Sequence, residues 1–204
     1  MGMGPVARAL RGLVALLVVA AMIQAYQGPN LFAYFTILSN TLAVVVLGGQ
    51  ALAPGWMRSN AFTRGAVTLY MTITGLVYAF LLAPLGVDVG DYAPWANFVH
   101  HNLAPTVLLI DWLLFAPRQK LARSAPWLWL IFPGAYFAFS MIRGAASGFY
   151  PYPFLDVDEL GAAGVAIYAV MILGVFAAIG IFLKWWSDRR GIIPTAVRYE
   201  AIRD

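Results

Sequence analysis

Six long apolar runs divide the chain, and short stretches rich in Pro, Gly, Asn and charge separate them. A helix needs about 20 apolar residues to cross a hydrocarbon layer of about 30 Å. The runs predict spanning helices at about 6–26, 31–53, 62–82, 94–115, 126–146 and 161–186. Gln27-Gly28-Pro29-Asn30 and Pro54-Gly55 are turn sequences, and Pro117 ends the fourth helix. The first run comes after two arginines, as in a signal peptide, but lacks a small-residue cleavage site and leads at once into a matching run. It reads as the first span. Residues 1–188 are therefore expected to form one all-α bundle of six transmembrane helices. Residues 189–204 form a polar tail.

Composition agrees with this. Of 204 residues 62% are hydrophobic and 11% charged, against about 25% charged in soluble domains. Chemistry must sit inside the bundle or in its loops. There is no cysteine, which removes thiolate nucleophiles and cysteine metal sites. Basic residues set the orientation. Arg8, Arg11, Arg58, Arg64, Arg118, Lys120, Arg123, Lys184, Arg189, Arg190, Arg198 and Arg203 fall at one set of helix ends. Asp88, Asp91, Asp156, Asp158 and Glu159 fall at the other. The alternation places both termini and the tail in the cytoplasm. Trp56, Trp95, Trp127, Trp185 and Trp186 lie near helix ends, where interfacial aromatics belong.

Polar groups inside a membrane are costly and are functional candidates by default. Here they are Thr36, Ser39 and Asn40 on helix two, His100, His101, Asn102 and Asp111 on helix four, and Arg143 on helix five. Gln24 and Tyr78 join them more weakly. Counting from the outer ends at about 1.5 Å per residue, Thr36 lies roughly 8 Å deep and His101 roughly 10 Å. Arg143 lies in the same slab. Asn97 and His101 share a helix face, as do Thr36 and Asn40. Asp111 lies about 15 Å beyond His101, too far for a direct bond, and reads as an anchor for Trp112 or another polar group. Each residue has a plainer role as well. A membrane Thr often bonds its own backbone, and Arg143 can snorkel to the surface. Residue types alone give a polar pocket in the outer half.

Three segments carry a resemblance: Tyr34-Phe35-Thr36-Ile37-Leu38-Ser39-Asn40; Asn97-Phe98-Val99-His100-His101-Asn102-Leu103-Ala104-Pro105 with Asp111-Trp112; and Gly148-Phe149-Tyr150-Pro151-Tyr152-Pro153-Phe154-Leu155-Asp156. In this order the chain resembles the androgen-induced-protein family of multispanning membrane proteins, in a bacterial six-helix branch. The animal members hydrolyse fatty acid esters of hydroxy fatty acids with an intramembrane threonine and a histidine. The resemblance implies Thr36 as nucleophile and His101 as base, the latter with Asn97 four residues earlier and Asp111 ten later. His100 is the second choice. It also implies that Tyr152 to Asp156 form an outer lid.

On this reading Arg143, Asn40 or Asn97 would hold the ester carbonyl oxygen or a substrate carboxylate, and Tyr152 would also contact the substrate. The expected partners are membrane lipids and a lipid or amphiphilic acyl ester, with no nucleic acid and no cofactor. The expected location is the bacterial cytoplasmic membrane. The alternative is a non-catalytic transporter or lipid-binding protein using the same pocket. A haem or metal protein ranks last, because the chain's two histidines are adjacent on one helix and cannot form an axial pair from two helices.

Overall fold

The computed structural model describes residues 4–25, 30–53, 55, 60–86, 93–117 and 119–190. Six of its helices are long and apolar enough to cross a membrane: α1 (Pro5–Gln24), α2 (Phe35–Leu52), α3 (Ala61–Leu85), α4 (Pro94–Phe115), α5 (Ala125–Ser147) and α6 (Val157–Arg190). Large apolar side chains face outward on every one, including Leu16, Val45, Phe80, Ile110, Ile142 and Ile167. Such an exterior needs an apolar solvent. The chain is a multi-pass integral membrane protein. The expected features at Gln27-Gly28-Pro29, Pro54, Trp56, Arg58, Asp88, Asp91 and Arg118, and the tail beyond Arg190, lie outside the described residues.

Helix ends obey local chemistry. Gly148 closes α5 with φ +68°, the left-handed stop glycine supplies without strain. Asp156 opens α6, its Oδ1 accepting the backbone N–H groups of Asp158 and Glu159 at 2.9 and 3.2 Å. That is an N-cap bond. α6 is interrupted at Gly161 (φ 65°, ψ 166°), so its regular course begins there.

The start of α2 differs from the expected one. Leu31–Ala33 is a separate 3-10 turn and Tyr34 is extended, so the helix begins at Phe35. The cause is tertiary, because the Tyr136 hydroxyl on α5 donates to the Ala33 carbonyl at 2.9 Å. Thr36 therefore sits in the first turn of α2, not one and a half turns in.

Two π-turns lie side by side in the bundle: Tyr78–Leu82 in α3 and Val99–Leu103 in α4. Pro105 accounts for the second. Proline has no N–H, and its ring crowds the carbonyl four residues back, here that of His101. The helix widens there by a π-turn. Gly75 of α3 packs against this spot. A Cβ there would lie 3.1 Å from both the His101 carbonyl oxygen and the Pro105 ring, so a larger residue would force the helices apart.

Arg11 and Arg64 were expected at the basic helix ends, and the structure buries both, at 3% and 4% exposure. Arg11 Nε donates to Asp111 Oδ1 at 2.7 Å and its Nη2 pairs with the same oxygen. Gln50 and Arg64 reach Asp111 Oδ2 at 3.0 and 3.4 Å. Arg64 also donates to the Phe115 carbonyl at 2.9 Å. A carboxylate away from water draws in opposite charge and hydrogen bonds, and this need overrides snorkelling. The cluster ties α1, α2, α3 and α4 together near the end of the bundle where α1 begins.

Candidate active site

At the opposite end, α2, α4 and the α5–α6 connection bring three polar side chains together. Thr36 Oγ1 lies 3.2 Å from His101 Nε2 and 3.3 Å from the Tyr152 hydroxyl. The Thr36 backbone N–H donates to that hydroxyl at 3.2 Å. Thr36, His101 and Tyr152 are all buried. Position explains why the N–H is available. Groups in the first helical turn have no carbonyl one turn back, so they seek other acceptors and carry the positive end of the helix dipole.

Asn97 determines the imidazole tautomer. His101 Nδ1 lies 2.6 Å from Asn97 Oδ1 and 3.2 Å from the Asn97 carbonyl oxygen. Both are acceptors, so Nδ1 carries the proton. Asn97 Nδ2 donates to the Tyr78 hydroxyl at 2.7 Å, which keeps Oδ1 toward the ring. Nε2 is then bare and accepts the Thr36 hydroxyl proton. The Tyr78 ring stacks on the imidazole, with centroids 4.2 Å apart and planes at 16°. The hydroxyl, ring and amide thus form a chain in which each member orients the next.

With the Thr36 proton on the histidine side, the Tyr152 hydroxyl donates to Thr36 Oγ1. Tyr152 lies in the connection between α5 and α6, and burial pushes its phenol above the usual range. It stays protonated and remains a donor. Phe35 aims this turn, since its ring sits among Tyr70, Phe132, Tyr136 and Phe176 with centroids 5.2–6.3 Å away. Edge-on aromatic contacts of this kind lock orientation.

The other expected site residues take different roles. Asn40 does not point at the pocket. Its Nδ2 donates to the Thr36 carbonyl at 2.9 Å and the His100 carbonyl at 3.4 Å, stitching α2 to the widened turn of α4. Asn97 holds the imidazole rather than substrate. Arg143 bonds Asn30 Oδ1 at 2.5 Å and lies over the Phe149 ring at 4.8 Å, away from Thr36 Oγ1. His100 is fully buried and interacts with the Val18 backbone of α1, because adjacent helical residues face different ways. Asp111 anchors polar groups in the charged cluster, as its depth implied, and the imidazole's Nδ1 partner is Asn97. Tyr152, expected to bind substrate, is here a direct partner of Thr36; the Ser39–Thr74 hydroxyl bond of 2.9 Å beneath it was not anticipated. Among the described residues there is no group of three or more His, Asp or Glu side chains able to hold a metal ion.

A cavity of about 270 Å³ adjoins Thr36. Its inner wall is Phe35, Thr36, Thr74 and Tyr152; its outer wall includes Gly134 of α5 and Val170 and Leu173 of α6. The space has a structural cause. α5 packs on α6 through Ala125–Trp129, then breaks at Leu130 and runs farther from it. Phe132, Tyr136 and Phe137 reach back to the core across the gap. The lining is almost wholly apolar except at the Thr36 end. No protein-family model, curated protein or solved structure matches this chain.

Proposed function

We propose that this protein is an intramembrane lipid-ester hydrolase with Thr36 as nucleophile and His101 as general base. The observation that carries the reading is the 3.2 Å contact of Thr36 Oγ1 with His101 Nε2, made to a ring whose other nitrogen is held by Asn97 at 2.6 Å. A hydroxyl is a weak nucleophile until a base takes its proton. A neutral imidazole at this distance suits that role. An apolar cavity ending on the hydroxyl suits an acyl chain. Fatty acid esters of hydroxy fatty acids, or similar acyl esters, are the substrate class, in line with the family the chain resembles. We place both termini in the cytoplasm and the site in the outer half of a bacterial cytoplasmic membrane, from the basic residues at alternate helix ends.

The reaction has two halves. Thr36 Oγ bonds to the acyl carbon as its proton passes to His101 Nε2. The carbonyl oxygen becomes an oxyanion. Thr36 Oγ, now an ester oxygen, is a poor acceptor, so the Tyr152 proton turns to the oxyanion. The N-terminal dipole of α2 adds to its stabilisation. The bond to the alcohol then breaks, and the departing alkoxide takes the proton from Nε2. Water next adds to the acyl-threonine, giving its proton to Nε2. The acid leaves as that proton returns to Thr36 Oγ.

The test is a fluorophosphonate probe on the purified protein. Adduct mapped to Thr36, and absent in Thr36→Ala and His101→Ala, supports the assignment. Labelling that survives Thr36→Ala removes the nucleophile. A protein that neither labels nor turns over lipid esters belongs to the transporter or lipid-binder reading. The interlocked charges around Asp111, below the pocket, weigh against a path through the bundle.

Tyr152 gives a separate prediction. Tyr152→Phe removes one donor to the oxyanion, and such losses cost about 10²–10³ in kcat. We expect kcat to fall about 10²-fold with KM nearly unchanged. An unaltered kcat in steady-state assays would remove Tyr152 from the mechanism.

A further inference from the structure

We infer that the acyl chain of the substrate enters sideways from the bilayer between the diverging stretches of α5 and α6, and that Gly134 is the residue that keeps this portal open. The inference rests on the hydrolase reading for chemistry, but the portal is a feature of the helices themselves. One end of the cavity is the buried Thr36 hydroxyl. The other reaches the lipid-facing surface, where Gly134 is exposed and Val170 is 71% exposed although both line the cavity. A chain can pass from lipid to hydroxyl along apolar walls without leaving hydrocarbon. The alcohol portion then lies toward His101, which must protonate it and does not line the cavity.

Size sets what the portal holds. An apolar cavity of about 150 Å³ takes up a six-carbon ring. By proportion, about 270 Å³ accommodates roughly ten carbons, and the remainder of a longer chain stays in the bilayer. A Cβ added at Gly134 would meet nothing within 4 Å. A bulky side chain there starts in open space, on a residue that lines the cavity. Gly174, on α6, is equally open but does not line the cavity, and it serves as the control.

The experiment compares wild type, Gly134→Phe and Gly174→Phe in lipid nanodiscs. The first readout is the ratio of kcat/KM for 4-nitrophenyl palmitate to that for 4-nitrophenyl butyrate. Pocket filling shifts such ratios by roughly 10- to 200-fold, so Gly134→Phe should lower it about tenfold or more, while Gly174→Phe leaves it in place.

The second readout needs no turnover. A non-hydrolysable palmityl ether bearing a diazirine at its sixth carbon should photolabel Phe137 or Leu173 in wild type, and Gly134→Phe should suppress that label. Label found instead in the groove formed by Val19, Met22, Phe32 and Val45, or a cleft label indifferent to Gly134→Phe, overturns the portal. Label in the cleft with no hydrolysis of either ester upholds the portal and overturns the hydrolase reading.

Discussion

Thr36→Ala should lower lipid-ester turnover by roughly 10⁴-fold or more, the scale of removing a nucleophile from a hydroxyl hydrolase. His101→Ala should cost nearly as much. The double variant should be little worse than either alone, because residues that act as one unit lose their effect together. Thr36→Ser keeps the hydroxyl and its position and should retain much of the activity. Stability is a useful contrast. The Thr36 side chain contributes neutral hydrogen bonds, each worth about 1 kcal/mol, so the melting temperature of Thr36→Ala should move little. Substantial turnover by a folded Thr36→Ala protein would end the proposal.

Asp111→Asn should damage folding rather than chemistry. It leaves the Arg11 and Arg64 guanidinium groups buried without their counter-charge. Breaking a buried ion pair in this way costs about 3–5 kcal/mol. The expected result is a large drop in melting temperature and yield, with the surviving folded fraction reacting with fluorophosphonate at the wild-type rate. Replacing Arg11, Arg64 and Asp111 together by Met, Met and Leu should recover most of the stability, because apolar residues of like volume often replace such clusters without loss. An Asp111→Asn protein with wild-type melting and no reactivity would show that the carboxylate acts on the site.

The six helices were legible because lipid forces backbone polar groups to bond within each segment, so hydropathy alone marks them. The fourth helix was read with both ends in place, at 94 and 115. The start of the second was not. Leu31 to Tyr34 is as apolar as the first turns of α2, and only the Tyr136 bond from α5 separates turn from helix.

The Asn97 and His101 spacing was visible, yet its use was not. Whether the amide faces substrate or the imidazole depends on Tyr78, a residue of another helix. Arg11 and Arg64 were read at the basic helix ends, where a side chain can turn to the surface or inward. Asp111, 100 residues from Arg11 in the chain, decides it. Tyr152 was legible only through the family resemblance, since a tyrosine between prolines in a loop has no periodicity to show where its hydroxyl goes.

The widened turn at Val99–Leu103 has an evolutionary consequence. Such a turn amounts to a single residue inserted into an otherwise regular helix, and one residue turns an α-helix by about 100°. Loss of the codon for Asn102 or Leu103 would turn Asn97 and His101 together relative to the rest of α4, and so away from Thr36, while leaving hydropathy and membrane insertion intact. A single in-frame deletion can thus convert such a chain into an inert spanning protein, and the reverse insertion can create the pairing in one step. Alignments that allow no gaps inside helices would miss both events.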